Sequence, residues 1–192
     1  MTKQELISYM NQLAQLRPVF HSEADFQHEL ASVIKSKNRM VRLERPFKIA
    51  SEKSVKFELD LEIDNSVAIE LKYKKASFKW VLGSEEFDLH ADLAITNSRY
   101  DVVYDAKRVR DLVKQKTHTL GFTIFLTNAK EYWDLDAMGT KASQFDLTDK
   151  RKFRMGETVS LIESKTIKRS KPFKIEFNET LEWIQYLSLI HI

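Results

Sequence analysis

The chain has 192 residues, a net charge of +3, 43% hydrophobic and 31% charged side chains, and no cysteine. A chain of this length is expected to form one domain with a buried core, and the lack of cysteine excludes disulfide scaffolds, thiol nucleophiles and thiolate metal sites. Because its N-terminus is polar and no apolar run is long enough to cross a bilayer, we expect a cytoplasmic protein with no membrane partner.

Two amphipathic helices are predicted in the first part of the chain, over residues 2–16 and 22–37. In both segments apolar residues recur every three or four positions, which places them on one helix face. Thr2 and Ser22 open the two segments, and side chains of these types accept hydrogen bonds from the free N–H groups at a helix start. Pro18 separates the two helices.

Alternating apolar and charged residues predict a β-hairpin in the segment KFELDLEIDNSVAIELKYK, residues 56–74. A three-residue turn over 64–66 is expected to join the strands, because this register lets the apolar faces of both strands meet the same core. The apolar residues expected to share a face at the first strand are Val55, Phe57, Leu59, Leu61 and Ile63. Those of the second strand are Val67, Ile69, Leu71 and Tyr73.

Further strands and one more helix are predicted around this hairpin. RLERPFKIA (42–50) is typical of a strand, and RYDVVYDAKRVRDLVKQK (99–116) is typical of an amphipathic helix. The continuous apolar run GFTIFLTN (121–128) predicts a buried central strand. Residues 158–178 predict further short strands, and residues 179–190 predict a terminal helix or strand. This order of elements favours an α/β fold in which helices pack on a mixed sheet.

Two carboxylates come together in the predicted hairpin, which sets Asp60 directly across from Glu70 and Glu58 across from Lys72. Directly paired residues have Cβ atoms about 5 Å apart, so Asp60 and Glu70 would repel each other unless a cation or a proton lies between them. Mg²⁺ suits two carboxylates that have no histidine or thiolate beside them. Lys72 points to the same side, where its ammonium can orient or help to deprotonate a water and can steady the charge of a phosphate. These parts fit metal-assisted hydrolysis of a phosphodiester.

The same alternation is also typical of a solvent-exposed face of an antiparallel sheet. In that interpretation Glu58 and Lys72 form an ordinary cross-strand ion pair. The pattern by itself therefore leaves two interpretations open, a solvated sheet face and a metal site.

Asp60 and the triplet Glu70-Leu71-Lys72, preceded by the helical segment DFQHELASVI (25–34), resemble the motifs of the PD-(D/E)xK nuclease superfamily. The resemblance implies a restriction-endonuclease-like fold, a central mixed β-sheet flanked by helices, formed by a single domain over residues 1–192 with its core motifs over 22–127. It implies that Asp60 and Glu70 bind Mg²⁺, or Mn²⁺ in its place, and that Lys72 is the catalytic lysine. The chain lacks the proline that gives the motif its name, which is often absent in the superfamily.

The superfamily also carries an acidic or amide residue on its N-terminal helix. Gln27, which is followed by apolar residues at helical spacing, resembles this position with an amide where a glutamate is common. Glu23, one turn earlier, could supply the carboxylate instead, and Glu29 is a third candidate. The activity implied by the resemblance is Mg²⁺-dependent cleavage of nucleic acid, with DNA expected as the substrate. The alternative is a catalytically inactive module on the same fold that binds nucleic acid or protein.

A basic stripe is predicted on the helix over 99–116, where Lys107, Arg110 and Lys114 follow one another at helical spacing. Such a stripe can contact nucleic-acid phosphates, but it is equally typical of a solvated helix face stabilised by local ion pairs. A homodimer is compatible with cleavage of both strands of a duplex, although no segment of the sequence identifies an interface.

Overall fold

The computed structural model describes residues 1–49, 56–92, 94–133, 147–159, 173–175 and 178–181. The helices in these ranges are α1 (Lys3–Leu16), α2 (Glu23–Lys35) and α3 (Ile95–Lys114), with a short 3-10 turn at Lys130–Tyr132. The longer strands are β1 (Val41–Lys48), β2 (Lys56–Ile63), β3 (Val67–Lys74), β4 (Phe78–Leu82), β5 (Glu85–Leu89) and β6 (Leu120–Thr127). The two-residue strands are β7 (Lys152–Phe153), β8 (Thr158–Val159), β9 (Phe173–Lys174) and β10 (Glu179–Thr180).

A four-stranded mixed sheet in the order β1-β2-β3-β6 forms the centre of the described fold. The strands β1, β2 and β3 are antiparallel to their neighbours, whereas β6 runs parallel to β3. Apolar side chains of α1 and α2 pack on one face of the sheet, and those of α3 pack on the other. The prediction of an α/β fold with a mixed sheet flanked by helices is confirmed at this level.

The two N-terminal helices begin where their capping residues predict. Thr2 Oγ1 accepts a hydrogen bond from the N–H of Glu5 (3.2 Å), and Glu5 Oε2 accepts one from the N–H of Thr2 (2.6 Å). Ser22 Oγ accepts from the N–H of Asp25 (3.1 Å). These bonds satisfy N–H groups that a helix start leaves without a helical partner. The second helix ends at Lys35, two residues before its predicted end.

Among the described strands, β6 lies at the edge of the four-stranded sheet, so in this part of the chain the prediction of a buried central strand was wrong. All of its residues are half-buried. Apolar side chains pack on both of its faces, since Phe122 and Ile124 meet the core of α1 and α2 while Phe125 stacks edge-to-face on Tyr132. A strand covered on two faces shows a continuous apolar pattern wherever it lies in a sheet, and for this reason the pattern does not distinguish the centre from the edge.

The apolar residues of β2 do not share one face, in contrast to the prediction. Phe57 and Leu59 pack with residues of α3. Leu61 and Ile63 pack with residues of α1 and α2. Val55, which was predicted to share this face, lies outside the described residues.

The change of face occurs at Asp60, where the pairing of β1 with β2 is interrupted. Leu43 pairs with Leu61 and Arg45 pairs with Leu59, but the residues between them, Glu44 and Asp60, form no strand pair. Glu44 has a φ of +52°, which is uncommon for a residue other than glycine. Beyond this point the apolar side chains of β2 therefore lie on the opposite face of the sheet. The sequence does not reveal this change, because apolar residues still occupy every second position.

Gly121 on β6 allows α3 to approach the sheet closely. A Cβ atom at this position would lie 2.1 Å from Val109 Cγ1.

We expect Gly121→Ala to lower the free energy of unfolding by about 1–3 kcal/mol, because extra volume in a packed core forces side chains and backbone apart. Urea denaturation measures the change. In a Val109→Ala background, which removes the contacted methyl group, the loss should shrink; an equal loss in both backgrounds would contradict this explanation.

The last third of the chain is described in part. The short strands predicted between residues 158 and 178 are present as β8 and β9, which pair antiparallel. The predicted terminal element over 179–190 is described only to residue 181; β10 pairs there with β7, and the remainder lies outside the described residues. None of the helices in the described ranges combines the length and apolar character needed to cross a membrane.

Candidate active site

The strands β2 and β3 separate just before Asp60 and Glu70. The predicted register is confirmed near the turn, where Ile63 pairs with Val67, and Asp64 and Asn65 adopt φ angles of +51° and +53°. The last pair of this ladder is Leu61 with Ile69.

The predicted direct pairings of Asp60 with Glu70 and of Glu58 with Lys72 are therefore wrong. The interruption of β1 and β2 at Asp60 turns this end of β2 away from β3, so that a gap opens between the strands. Glu58 is exposed and pairs with Pro46 of β1.

Carboxylates fill this gap by accepting the β3 N–H groups that β2 no longer accepts. The N–H of Leu71 donates to Asp60 Oδ2 (2.6 Å), and the N–H of Tyr73 donates to Glu23 Oε2 (2.7 Å). The N–H of Asp60 donates to Glu70 Oε1 (3.2 Å). A backbone N–H without a partner strand needs another acceptor, and these bonds supply it. They place Glu23 and Asp60 along the edge of β3 that β2 leaves, beside Glu70.

Gln27, on α2, is 6% exposed and supports the interrupted strands. Its Nε2 donates to Glu44 Oε1 (2.7 Å) and to the carbonyl oxygen of Asp60 (2.8 Å). The sequence analysis did not identify Glu44, whose left-handed backbone is the kind of strain that proteins keep at sites held in place by their surroundings. Glu29, the third candidate on this helix, lies two positions beyond Gln27 and so points to a different side of the helix.

Lys72 lies between the N-terminus of α2 and the middle of α3. Its Nζ is 3.5 Å from Glu23 Oε1 and 3.8 Å from Asp105 Oδ2. Asp105 is 3% exposed, and its Oδ2 has no hydrogen-bond partner within the part of the chain that the structure describes. Lys72 is therefore the cation that this oxygen faces.

Arg108 brings a second positive charge to the same site. It donates from Nη2 to Glu70 Oε2 (2.8 Å) and to Asp105 Oδ1. Its guanidinium carbon lies 4.3 Å from the ring centroid of Phe57 and 5.5 Å from that of Tyr104. Two carboxylates and two aromatic rings thus fix its position.

Asp105 and Arg108 were not among the predicted site residues. A signal was nevertheless present. Asp105 falls between Val102 and Val109, at helical spacing from both, and so interrupts an apolar stripe. A charged residue on the buried side of a helix needs a charged partner, and this requirement could have directed attention to Glu70 and Lys72.

Glu70 and Asp60 are harder to ionise than ordinary carboxyl groups. Burial is the largest cause that raises the pKa of Glu70 to about 9. The charges of Asp60 and Asp105 add to this rise, and Arg108 opposes it. Burial also raises the pKa of Asp60 to about 6, against the hydrogen bond from Leu71 that lowers it. A nearby cation favours the ionised form of both carboxyl groups, the buried Glu70 and the half-buried Asp60.

Lys72 is harder to deprotonate than an ordinary lysine. Burial by itself works to lower the pKa of Lys72, but the charges of Asp105, Glu23 and Asp60 outweigh burial and raise it. Since an ordinary lysine titrates near a pH of about 10, this side chain is an ammonium ion at neutral pH.

The donor set of the site consists of carboxylate oxygens. In the described ranges, no group of three or more His, Asp or Glu side chains is arranged so that it could hold a metal ion. Asp60 and Glu70 form a pair of hard oxygen donors, and Mg²⁺ is commonly bound by one or two carboxylates with waters in its other positions. The pair thus fits Mg²⁺ or Mn²⁺ by its chemistry.

The predicted basic stripe on α3 is only partly exposed. Lys107 Nζ lies 2.7 Å from Asp111 Oδ2, and its side chain is 13% exposed. Arg110 and Lys114 are exposed. Of the α3 cations, Arg108 reaches the candidate site, whereas these three form the neighbouring surface.

No protein-family model matches this chain, and no curated protein and no solved structure matches it significantly.

Proposed function

We propose that this protein is a Mg²⁺-dependent nuclease of restriction-endonuclease-like fold that hydrolyses phosphodiester bonds in nucleic acid, with DNA as the expected substrate. The observation that carries the proposal is the meeting of Asp60, Glu70 and the half-buried ammonium of Lys72 where β2 and β3 separate. Acidic pairs beside a lysine are suited to phosphoryl chemistry, because the reaction needs both a bound cation and a second positive charge near the phosphate.

Asp60 and Glu70 would hold the metal ion. When bound, a divalent ion makes water a stronger nucleophile and neutralises charge on the phosphate. Both carboxyl groups must be ionised to bind it, so binding should release protons from these residues. Their raised pKa values make this release measurable at neutral pH.

Lys72 would act through its charge. Because its pKa is raised, we propose that it positions the attacking water and steadies the developing phosphate charge, and that it does not take up a proton. Glu23 holds Lys72 from the start of α2, and Gln27 holds the backbone of Asp60. Both are positioning residues in this scheme.

The second candidate function is an inactive nucleic-acid-binding or protein-binding module on the same fold. A specific observation favours it, since the acidic residues already have structural partners. Asp60 and Glu23 accept backbone N–H groups of β3, and Glu70 pairs with Arg108. A protein with this function would bind DNA with salt-dependent affinity and would not need Asp60 or Glu70 for binding.

Asp60→Asn is the variant that tests the proposal. Asparagine can still accept the hydrogen bond from the N–H of Leu71, so the variant is expected to fold. We expect calorimetry to detect Mg²⁺ binding in the wild type and to detect none in the variant. We also expect cleavage in a screen of single-stranded DNA, duplex DNA and RNA to fall by at least about 100-fold.

Glu58→Gln is the matched control, because Glu58 is an exposed carboxylate on the same strand. It should bind Mg²⁺ and cleave as the wild type does. Equal Mg²⁺ binding and equal cleavage in the wild type and Asp60→Asn would contradict the proposal. DNA binding without cleavage in every protein, unchanged by Asp60→Asn, would establish the binding module instead.

A further inference from the structure

The two oxygens of Glu70 face two different positions. Oε1 accepts the N–H of Asp60 and lies on the Asp60 side of the site. Oε2 accepts from Arg108, which also donates to Asp105. One position is therefore flanked by Asp60 and Glu70, and the other by Glu70 and Asp105.

This arrangement resembles a two-metal site in which one carboxylate bridges two cations. In two-metal hydrolases the ions lie about 3.5–4 Å apart and share such a bridge. Here the second position already holds a cation of the protein itself, the guanidinium group of Arg108.

Two aromatic rings and two carboxylates fix the guanidinium group of Arg108 at the second position. Its guanidinium carbon lies 4.3 Å from the ring centroid of Phe57, and Tyr104 contributes a second ring at 5.5 Å. Attraction between a cation and aromatic faces adds to the two ion pairs. An arginine retains its charge at every pH at which proteins fold, so this positive charge is permanent.

We propose that the site binds a single divalent ion between Asp60 and Glu70, and that the guanidinium group of Arg108 takes the place of a second ion. This inference rests on the proposed function and adds the number of ions that the site uses. Asp105 is then the positioning residue of Arg108. Arg108 donates to Asp105 Oδ1 and to Glu70 Oε2, and these are the two oxygens that a second ion would gain if Arg108 were absent.

Counting bound Mn²⁺ tests the inference without any measurement of activity. Electron paramagnetic resonance of free Mn²⁺ gives the number of ions bound per full-length chain. We expect one ion for the wild type and two for Arg108→Met, in which the aliphatic stem still packs between Phe57 and Tyr104. Arg108→Met combined with Asp105→Asn should return the number to one, because the second position then lacks a carboxylate. Arg110→Met, an exposed arginine of the same helix, is the matched control and should bind one ion.

The possible results separate this inference from the proposed function. Two ions in the wild type would overturn the inference and leave the nuclease proposal standing. One ion in Arg108→Met, with near-ultraviolet circular dichroism of a folded protein, would also overturn it. No ion in the wild type would overturn both. If Arg108→Met does not fold, Arg108→Gln replaces it, and if neither folds the number bound by the wild type decides.

Discussion

Lys72→Ala is expected to reduce nucleic-acid cleavage by at least about 100-fold while the protein remains folded, because removing one charge that stabilises a transition state has an effect of this size. The Nζ of Lys72 lies within 4 Å of carboxylates on α2 and α3, at the point where Asp60 and Glu70 meet. Its raised pKa keeps it charged throughout the neutral range. Single-turnover cleavage of a substrate identified by the screen measures the loss.

Loss of any lysine weakens nucleic-acid binding by removing one positive charge, so a control is required. Lys79→Ala changes the net charge equally, and Lys79 is an exposed residue of β4 that pairs with Asp88 at 2.8 Å. The control should cleave within about threefold of the wild type, as expected for an exposed ion pair of small energetic value. Similar losses in both variants would mean that Lys72 contributes through net charge alone, and its catalytic assignment would then be wrong.

Glu70→Gln is expected to stabilise the protein in the absence of metal, by an amount that increases with pH. The native state raises the pKa of this carboxyl group from 4.5 to about 9, so the native state binds a proton that the unfolded chain has already released. Stability that is present below pH 4.5 is therefore lost progressively as the pH rises toward 9. Glutamine does not ionise and avoids this loss. Each pH unit above 4.5 costs the wild type about 1.4 kcal/mol, so we expect a gain of up to about 5 kcal/mol at pH 8 and almost none at pH 4.

Urea denaturation at several pH values, with a chelator present, measures this dependence. Glu58→Gln serves again as the control, because an exposed carboxylate should give a difference that is small at every pH. A Glu70→Gln protein that is less stable than the wild type at every pH would show that the ion pair of Glu70 with Arg108 outweighs the penalty of burial. The ion pair of Glu70 with Arg108 would then be a net stabilising interaction of the fold.

The sequence predicted correctly the structural features that depend on interactions between residues close together in the chain. The turn at Asp64 and Asn65 followed from the parity of the two strands, and the helix starts at Thr2 and Ser22 followed from their capping side chains. Asp60, Glu70 and Lys72 were predicted near one another because they belong to one hairpin. In each case the interacting residues are close in sequence or belong to a single hairpin, so their geometry is limited by the chain itself.

Contacts between distant segments were not predictable in the same way. The interruption at Asp60 depends on Glu44 and on Gln27, which lie 16 and 33 positions earlier in the chain. Arg108 enters the site from α3, and the alternation of β2 contains no trace of it. The edge position of β6 is likewise a property of the whole sheet, because burial on two faces leaves the same pattern in a central strand and in an edge strand.

The change of face within β2 joins the two sides of the protein mechanically. Phe57 and Leu59 belong to the core under α3, whereas Leu61 and Ile63 belong to the core under α1 and α2. One strand thus passes through both cores, and neither helical layer can detach without exposing part of it. The central sheet and the helices on its two faces should for this reason unfold as one cooperative unit. Asp60 lies where the two cores adjoin, so the geometry of the proposed site depends on both helical layers being in place.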